Sequence, residues 1–192
     1  MNLLLHQSAS WDAVPQPVAL IGLVDQVGYG DPYRYQPGAI APAVQWLPDT
    51  CRDTDLIFTA YDMAVSAFPD LIGYCIMKPY TTYARLGYRS DQYGVEPETC
   101  IYIAELGIAE QARGHRIGSI LLDFATSHCP PQTRSYLVRT MVNQYDTDEP
   151  NPAIAFYQKR GFVVVEDQET QQPLIEVSSQ RPRLFLRRAV GV

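Results

Sequence analysis

Residues 101–119 read Ile-Tyr-Ile-Ala-Glu-Leu-Gly-Ile-Ala-Glu-Gln-Ala-Arg-Gly-His-Arg-Ile-Gly-Ser. The run Ile101 to Ile108 is apolar and strand-like, apart from Glu105. It enters a short loop holding Arg113, Gly114 and Gly118, and a helix follows. The first turn of a helix carries amide N–H groups without internal partners, and the helix dipole adds to their pull on anions. The segment therefore predicts a place for a phosphorylated ligand. The amides of residues 113 to 119 would hold it, with the charges of Arg113, His115 and Arg116 nearby. A plain strand–turn–helix with solvated basic side chains is the competing reading.

Downstream, Ile117, Ile120, Leu121, Phe124 and Ala125 fall on one helical face, and Cys129-Pro-Pro stops the helix. Tyr136 to Val142 reads as a strand, followed by the polar loop Asn143 to Pro150. Asn151 suits an N-cap and Pro152 the first helical position; the helix Ala153 to Arg160 then ends at Gly161. Phe162 to Glu166 and Arg183 to Arg187 complete the strands.

Upstream, Leu56 to Tyr61 and Leu71 to Met77 read as a hairpin around Pro69 and Asp70. The proline-rich first fifty residues predict two short helices, near Val18 to Val24 and Ala39 to Leu47. The turn-prone Gly28-Tyr-Gly-Asp-Pro32 joins them. Residues 79 to 99 form a long connection with Tyr80, Tyr83, Tyr88 and Tyr93, read either as a functional wall or as locally packed aromatics.

A chain of 192 residues can bury one sizeable core, so a single domain over 1–192 is expected. The net charge of −6, without a block of Lys or Arg, disfavours nucleic acid and anionic membranes as partners. No stretch approaches the length of a bilayer span, and Met1 to Leu5 lacks the basic start and long core of a signal peptide. Cys51, Cys75, Cys100 and Cys129 are spaced as free thiols of a reducing compartment. His6, His115 and His128 are too scattered for a metal cluster. A cytoplasmic protein with no metal is the expectation.

Two segments resemble the GNAT superfamily of acyl-CoA-dependent N-acyltransferases. Leu106-Gly107-Ile108 followed by Arg113-Gly114-His115-Arg116-Ile117-Gly118 is similar to that family's strand and its Arg/Gln-x-x-Gly-x-Gly/Ala pyrophosphate loop. The helix from Ala153 through Tyr157 to Gly161-Phe162 is similar to its Tyr-x-x-x-Gly-Phe ending. The resemblance covers about residues 55–188. Read from Arg113, the loop has Arg116 at its first glycine, where the backbone should then need no positive φ. Read from Gln111, Gly114 fits and Arg116 takes the final small position. Asn151 stands one residue closer to Tyr157 than the family's usual asparagine.

The resemblance implies a mixed, mostly antiparallel α/β sheet flanked by helices, with acetyl-CoA as acyl donor and an amine-bearing acceptor, a small molecule or a protein amine. It assigns Leu106, Gly107 and Ile108 to the pantetheine arm. The pyrophosphate falls to Arg113, Gly114, His115, Arg116, Ile117, Gly118 and Ser119, with Asn151 beside the cofactor. Gly107 suits close backbone approach. Tyr157 matches the family's general acid, which protonates the departing thiolate; a core aromatic is its alternative reading. Glu105, a carboxylate on an apolar strand, would be the general base, directly or through a water, or else a rim residue or ion-pair partner. Freeing a lysine amine at pH 7 costs about 4 to 5 kcal/mol against about 1 kcal/mol for an α-amine, so an essential Glu105 fits a lysine-like acceptor. The acidic loop Asp146, Asp148, Glu149 reads as a solvated face, and Arg181, Arg183, Arg187 and Arg188 as the polar side of an edge strand. A non-catalytic acyl-CoA-binding regulatory module is the rival function. Oligomeric state is open, with homodimers common in families of this kind.

Overall fold

The computed structural model describes residues 2–28, 43–51, 56–64, 69–84, 90–144, 148–176 and 182–191. In chain order the elements are β1 (Leu3–Ser8), α1 (Pro17–Gly28), α2 (Ala43–Thr50), β2 (Leu56–Asp62), β3 (Asp70–Pro79), α3 (Tyr80–Ala84) and α4 (Ser90–Tyr93). They continue with β4 (Cys100–Ile108), α5 (Ile117–Ser127), β5 (Ser135–Met141), α6 (Pro152–Gln158), β6 (Val163–Val164), β7 (Ile175–Glu176) and β8 (Arg183–Ala189). The chain gathers into two compact units, one of Met1–Met77 with Glu105–Cys129, the other of Lys78–Ala104 with Pro130–Val192. Strand β4 gives its first half to the second unit and its last half to the first.

In the first unit β1 pairs antiparallel with β2, and β2 antiparallel with β3. Leu3-Leu4-Leu5 is thus an edge strand, a role that sequence patterning gave no sign of because its side chains do not alternate cleanly. Helix α5 packs on the β2 face that carries Phe58, whose ring meets Phe124 edge-on at 5.9 Å. The buried stripe of α5 is Ile117, Leu121, Leu122 and Ala125, while Ile120 is 40% exposed. The apolar face is therefore rotated by part of a turn from the expected one. Leu122 takes the place in the buried stripe that the spacing gave to Ile120.

In the second unit β5 pairs parallel with β4 over Cys100–Ile103 and antiparallel with β8 along its whole length. Strand β8 also carries β6 and β7, both antiparallel. The core here holds Tyr80, Tyr93, Tyr102, Leu137 and Phe185, with the Tyr93 and Phe185 rings 4.4 Å apart. Burial pushes the Cys100 thiol up to about 11. Residues 79–99 are thus partly helical, and Tyr80 and Tyr93 are core aromatics. Tyr88 and the side chain of Tyr83 lie outside the described residues, as do Asp146, Arg181 and the start of the expected helix at Ala39.

Candidate active site

After β4 the chain makes a 3₁₀ turn over Glu110–Ala112, then the exposed stretch Arg113 to Arg116, then α5. The Arg113 amide donates to the Glu110 carbonyl at 3.1 Å, and the Ser119 amide to the Arg116 carbonyl at 3.0 Å. Between them, the amides of residues 114 to 118 donate to no described residue. Arg116 is the N-cap and supplies no side-chain cap. Gly114 has φ 80 and Arg116 has φ 64.

The expectation of no positive φ at Arg116 is thereby overturned. The loop follows the register from Gln111, so Gly114 takes the motif's glycine and Arg116 its final small position. Gly118 lies in the first turn of α5. Left-handed residues in such turns aim successive N–H groups into one concavity, a surface suited to anions. Side chains tighten it: Arg113 Nε donates to the Ile108 carbonyl at 3.3 Å, and His115 Nδ1 lies 3.0 Å from the Arg113 carbonyl.

The pairing of β4 with β5 runs over Cys100–Ile103. Leu106, Gly107 and Ile108, which the resemblance assigns to the pantetheine arm, lie further along β4. Gly107 has a second reason to be glycine. A Cβ there would stand 2.5 Å from Cε1 and Cζ of Tyr74 and 2.6 Å from its hydroxyl oxygen. Sequence reasoning passed over Tyr74; an aromatic facing a glycine across two strands is a signal visible only once the register is known. Glu105 is half-buried on the same strand.

Tyr157 and Asn151 belong to the second unit. The Asn151 side-chain oxygen accepts from the Ala153 amide at 3.0 Å, the expected N-cap. Gly161 closes α6 with φ 78. Tyr157 is 5% exposed, its ring 5.1 Å from that of Phe156 and 5.2 Å from that of Phe162. The C-terminal arginines serve this unit from within. Arg187 donates to the carbonyls of Tyr93 and Gly94, and Arg188 lies over the rings of Tyr136 and Phe162.

A family model described as an acetyltransferase (GNAT) domain matches residues 54–164. The match spans more than half of the chain, which belongs to the GNAT acetyltransferase family. Comparison with curated proteins finds no match. Among solved structures, Arabidopsis thaliana NAA60 in complex with acetyl-CoA is 14% identical with a TM-score of 0.63, over 98% of this chain and 99% of that one. An acetyltransferase from Thermus thermophilus is 15% identical with a TM-score of 0.62, over 99% and 98%. The NatC complex bound to Gag peptide and CoA is 18% identical with a TM-score of 0.57, over 100% of both chains. These likenesses establish the fold: a mixed, mostly antiparallel sheet flanked by helices.

Proposed function

We propose that this chain is an N-acetyltransferase that moves an acetyl group from acetyl-CoA to a primary amine by direct attack in a ternary complex. The observation that carries the reading is the row of amides at residues 114 to 118, which donate to no other described residue, at the uncapped start of α5. Those donors and the neighbouring Arg113, His115 and Arg116 fit a diphosphate. The β4 residues Leu106, Gly107 and Ile108, beyond the Cys100–Ile103 pairing, suit an extended amide-bearing arm that takes up main-chain hydrogen bonds. Acetyl-CoA supplies the activated thioester, and NAA60 and NatC have been crystallised with acetyl-CoA and CoA respectively.

Glu105 takes the proton from the attacking amine, directly or through a water, and Tyr157 protonates the departing thiolate. A phenol of pKa about 10 can protonate a thiolate whose conjugate acid lies near 8.5 if it is held within hydrogen-bond reach. The tight packing of Tyr157 between Phe156 and Phe162 gives the rival binding-module reading its one specific support. Tyr157→Phe separates the two. Thiol release with a panel of amines should fall roughly tenfold or more while acetyl-CoA affinity holds. Wild-type protein that binds acetyl-CoA and acetylates no amine would favour the binding module.

A further inference from the structure

Tyr74 lies on β3, 1% exposed, with Thr59 of β2 opposite it on one side. On the other side it meets β4. The Ala109 amide donates to the Ile72 carbonyl at 2.9 Å, a Cβ on Gly73 would meet Ile108 and the Gly107 carbonyl, and Tyr74 itself covers Gly107. As β3 ascends from 72 to 74 its neighbours descend from 109 to 107, so the two strands run in opposite directions here. Non-bonded carbons ordinarily sit about 3.5 to 4.0 Å apart. With Cζ only 2.5 Å from where a Cβ on Gly107 would stand, the phenol fills the space of a side chain at 107.

Strand alternation puts Glu105 on the same face as Gly107, about 7 Å along the strand. Leu106 and Ile108 take the opposite face, where Ile108 Cδ1 and Leu121 of α5 both close on Gly73. The hydroxyl of Tyr74 and the carboxylate of Glu105 therefore share the face that α5 leaves alone. At that spacing a phenol reaches a glutamate directly or through one water.

We propose that Tyr74 is a positioning residue for acyl transfer: its hydroxyl, laid across Gly107, orients the Glu105 carboxylate that receives the amine proton. The proposal rests on the acyl-transfer reading above. Proton transfer needs the glutamate within hydrogen-bond reach of the amine or its bridging water. A phenolic O–H donating to one carboxylate oxygen fixes the side chain and leaves the other oxygen to act. Glycine at 107 is what admits the phenol.

Tyr74→Phe keeps the ring in its slot and removes only the hydroxyl. In ligand-free protein carrying a labelled Glu105 carboxylate, the substitution should move that carbon resonance. In turnover, kcat should fall roughly tenfold with KM for acetyl-CoA unchanged. The loss should vanish when the same change is made in Glu105→Gln, because residues acting as one unit are not additive. Gly107→Ala, which displaces the ring, should repeat the fall in kcat. An unmoved resonance overturns the pairing whatever the activity, and so does an equal fall in both backgrounds. Wild-type protein that acetylates no amine overturns the acyl-transfer reading, and the catalytic half of this proposal with it.

Discussion

The two helices that carry the family motifs begin in opposite ways. Helix α6 closes its own start: Asn151 caps the Ala153 amide, and Pro152 has no N–H to satisfy. Helix α5 has a left-handed arginine as N-cap, no side-chain cap, and a run of amides that donate to no other described residue before its first internal hydrogen bonds. Unpaired helix-start donors normally find a side chain or water. One terminus is capped by its own side chain and the other has no side-chain cap, although both follow the same helix rules.

That contrast can be broken at Gly114. A Cβ there would meet no atom within 4 Å, so Gly114→Ala changes only the cost of φ 80. A left-handed non-glycine residue costs about 1 to 2 kcal/mol; a free loop that sheds this cost by leaving φ 80, and must regain it on binding, gives roughly 5- to 30-fold weaker acetyl-CoA binding by calorimetry. Affinity equal to wild type would show that the loop conformation is incidental.

A smaller effect, on a different observable, is expected at the other helix. Asn151→Ala should lower unfolding free energy by about 1 kcal/mol in urea and leave acetyl-CoA affinity unchanged. Weakened binding with unaltered stability would make Asn151 a ligand contact instead of a cap.

The smallest effect is expected at Arg116. Glycine relieves the left-handed penalty of about 1 to 2 kcal/mol and gives back about 0.5 to 1 kcal/mol as unfolded-chain entropy. Arg116→Gly should therefore stabilise the protein by about 0.5 to 1 kcal/mol, read as a higher urea midpoint at constant m-value. A lower midpoint would mean that the arginine side chain holds the turn.

Much of this was legible in the sequence because local chemistry governs helix ends. Asn151, Pro152 and Gly161 announce α6, and the apolar run before Glu110 announces β4. The conformation of Arg116 was not legible, because two registers of the loop motif fit equally well and only φ distinguishes them. Strand β1 escaped notice because Leu3-Leu4-Leu5 lacks the alternation of a one-faced strand. The short β6 and β7 are defined by pairing to β8, not by their own residues. The tyrosines at 80 and 93 could equally have lined a surface, and only the packed core around Phe185 shows where they lie. Tyr74 was invisible for a related reason: its significance comes from a glycine thirty-three positions away.

Amides 114 to 118 that hold the acyl donor's diphosphate make a directly measurable cofactor site. Calorimetric titration with acetyl-CoA, with CoA as positive control and ATP as negative control, tests it most directly. Saturable binding of acetyl-CoA and CoA is expected, clearly weaker in Gly114→Ala, with ATP no substitute. Absence of acetyl-CoA binding at millimolar concentration, or ATP binding as tightly as CoA, would contradict it.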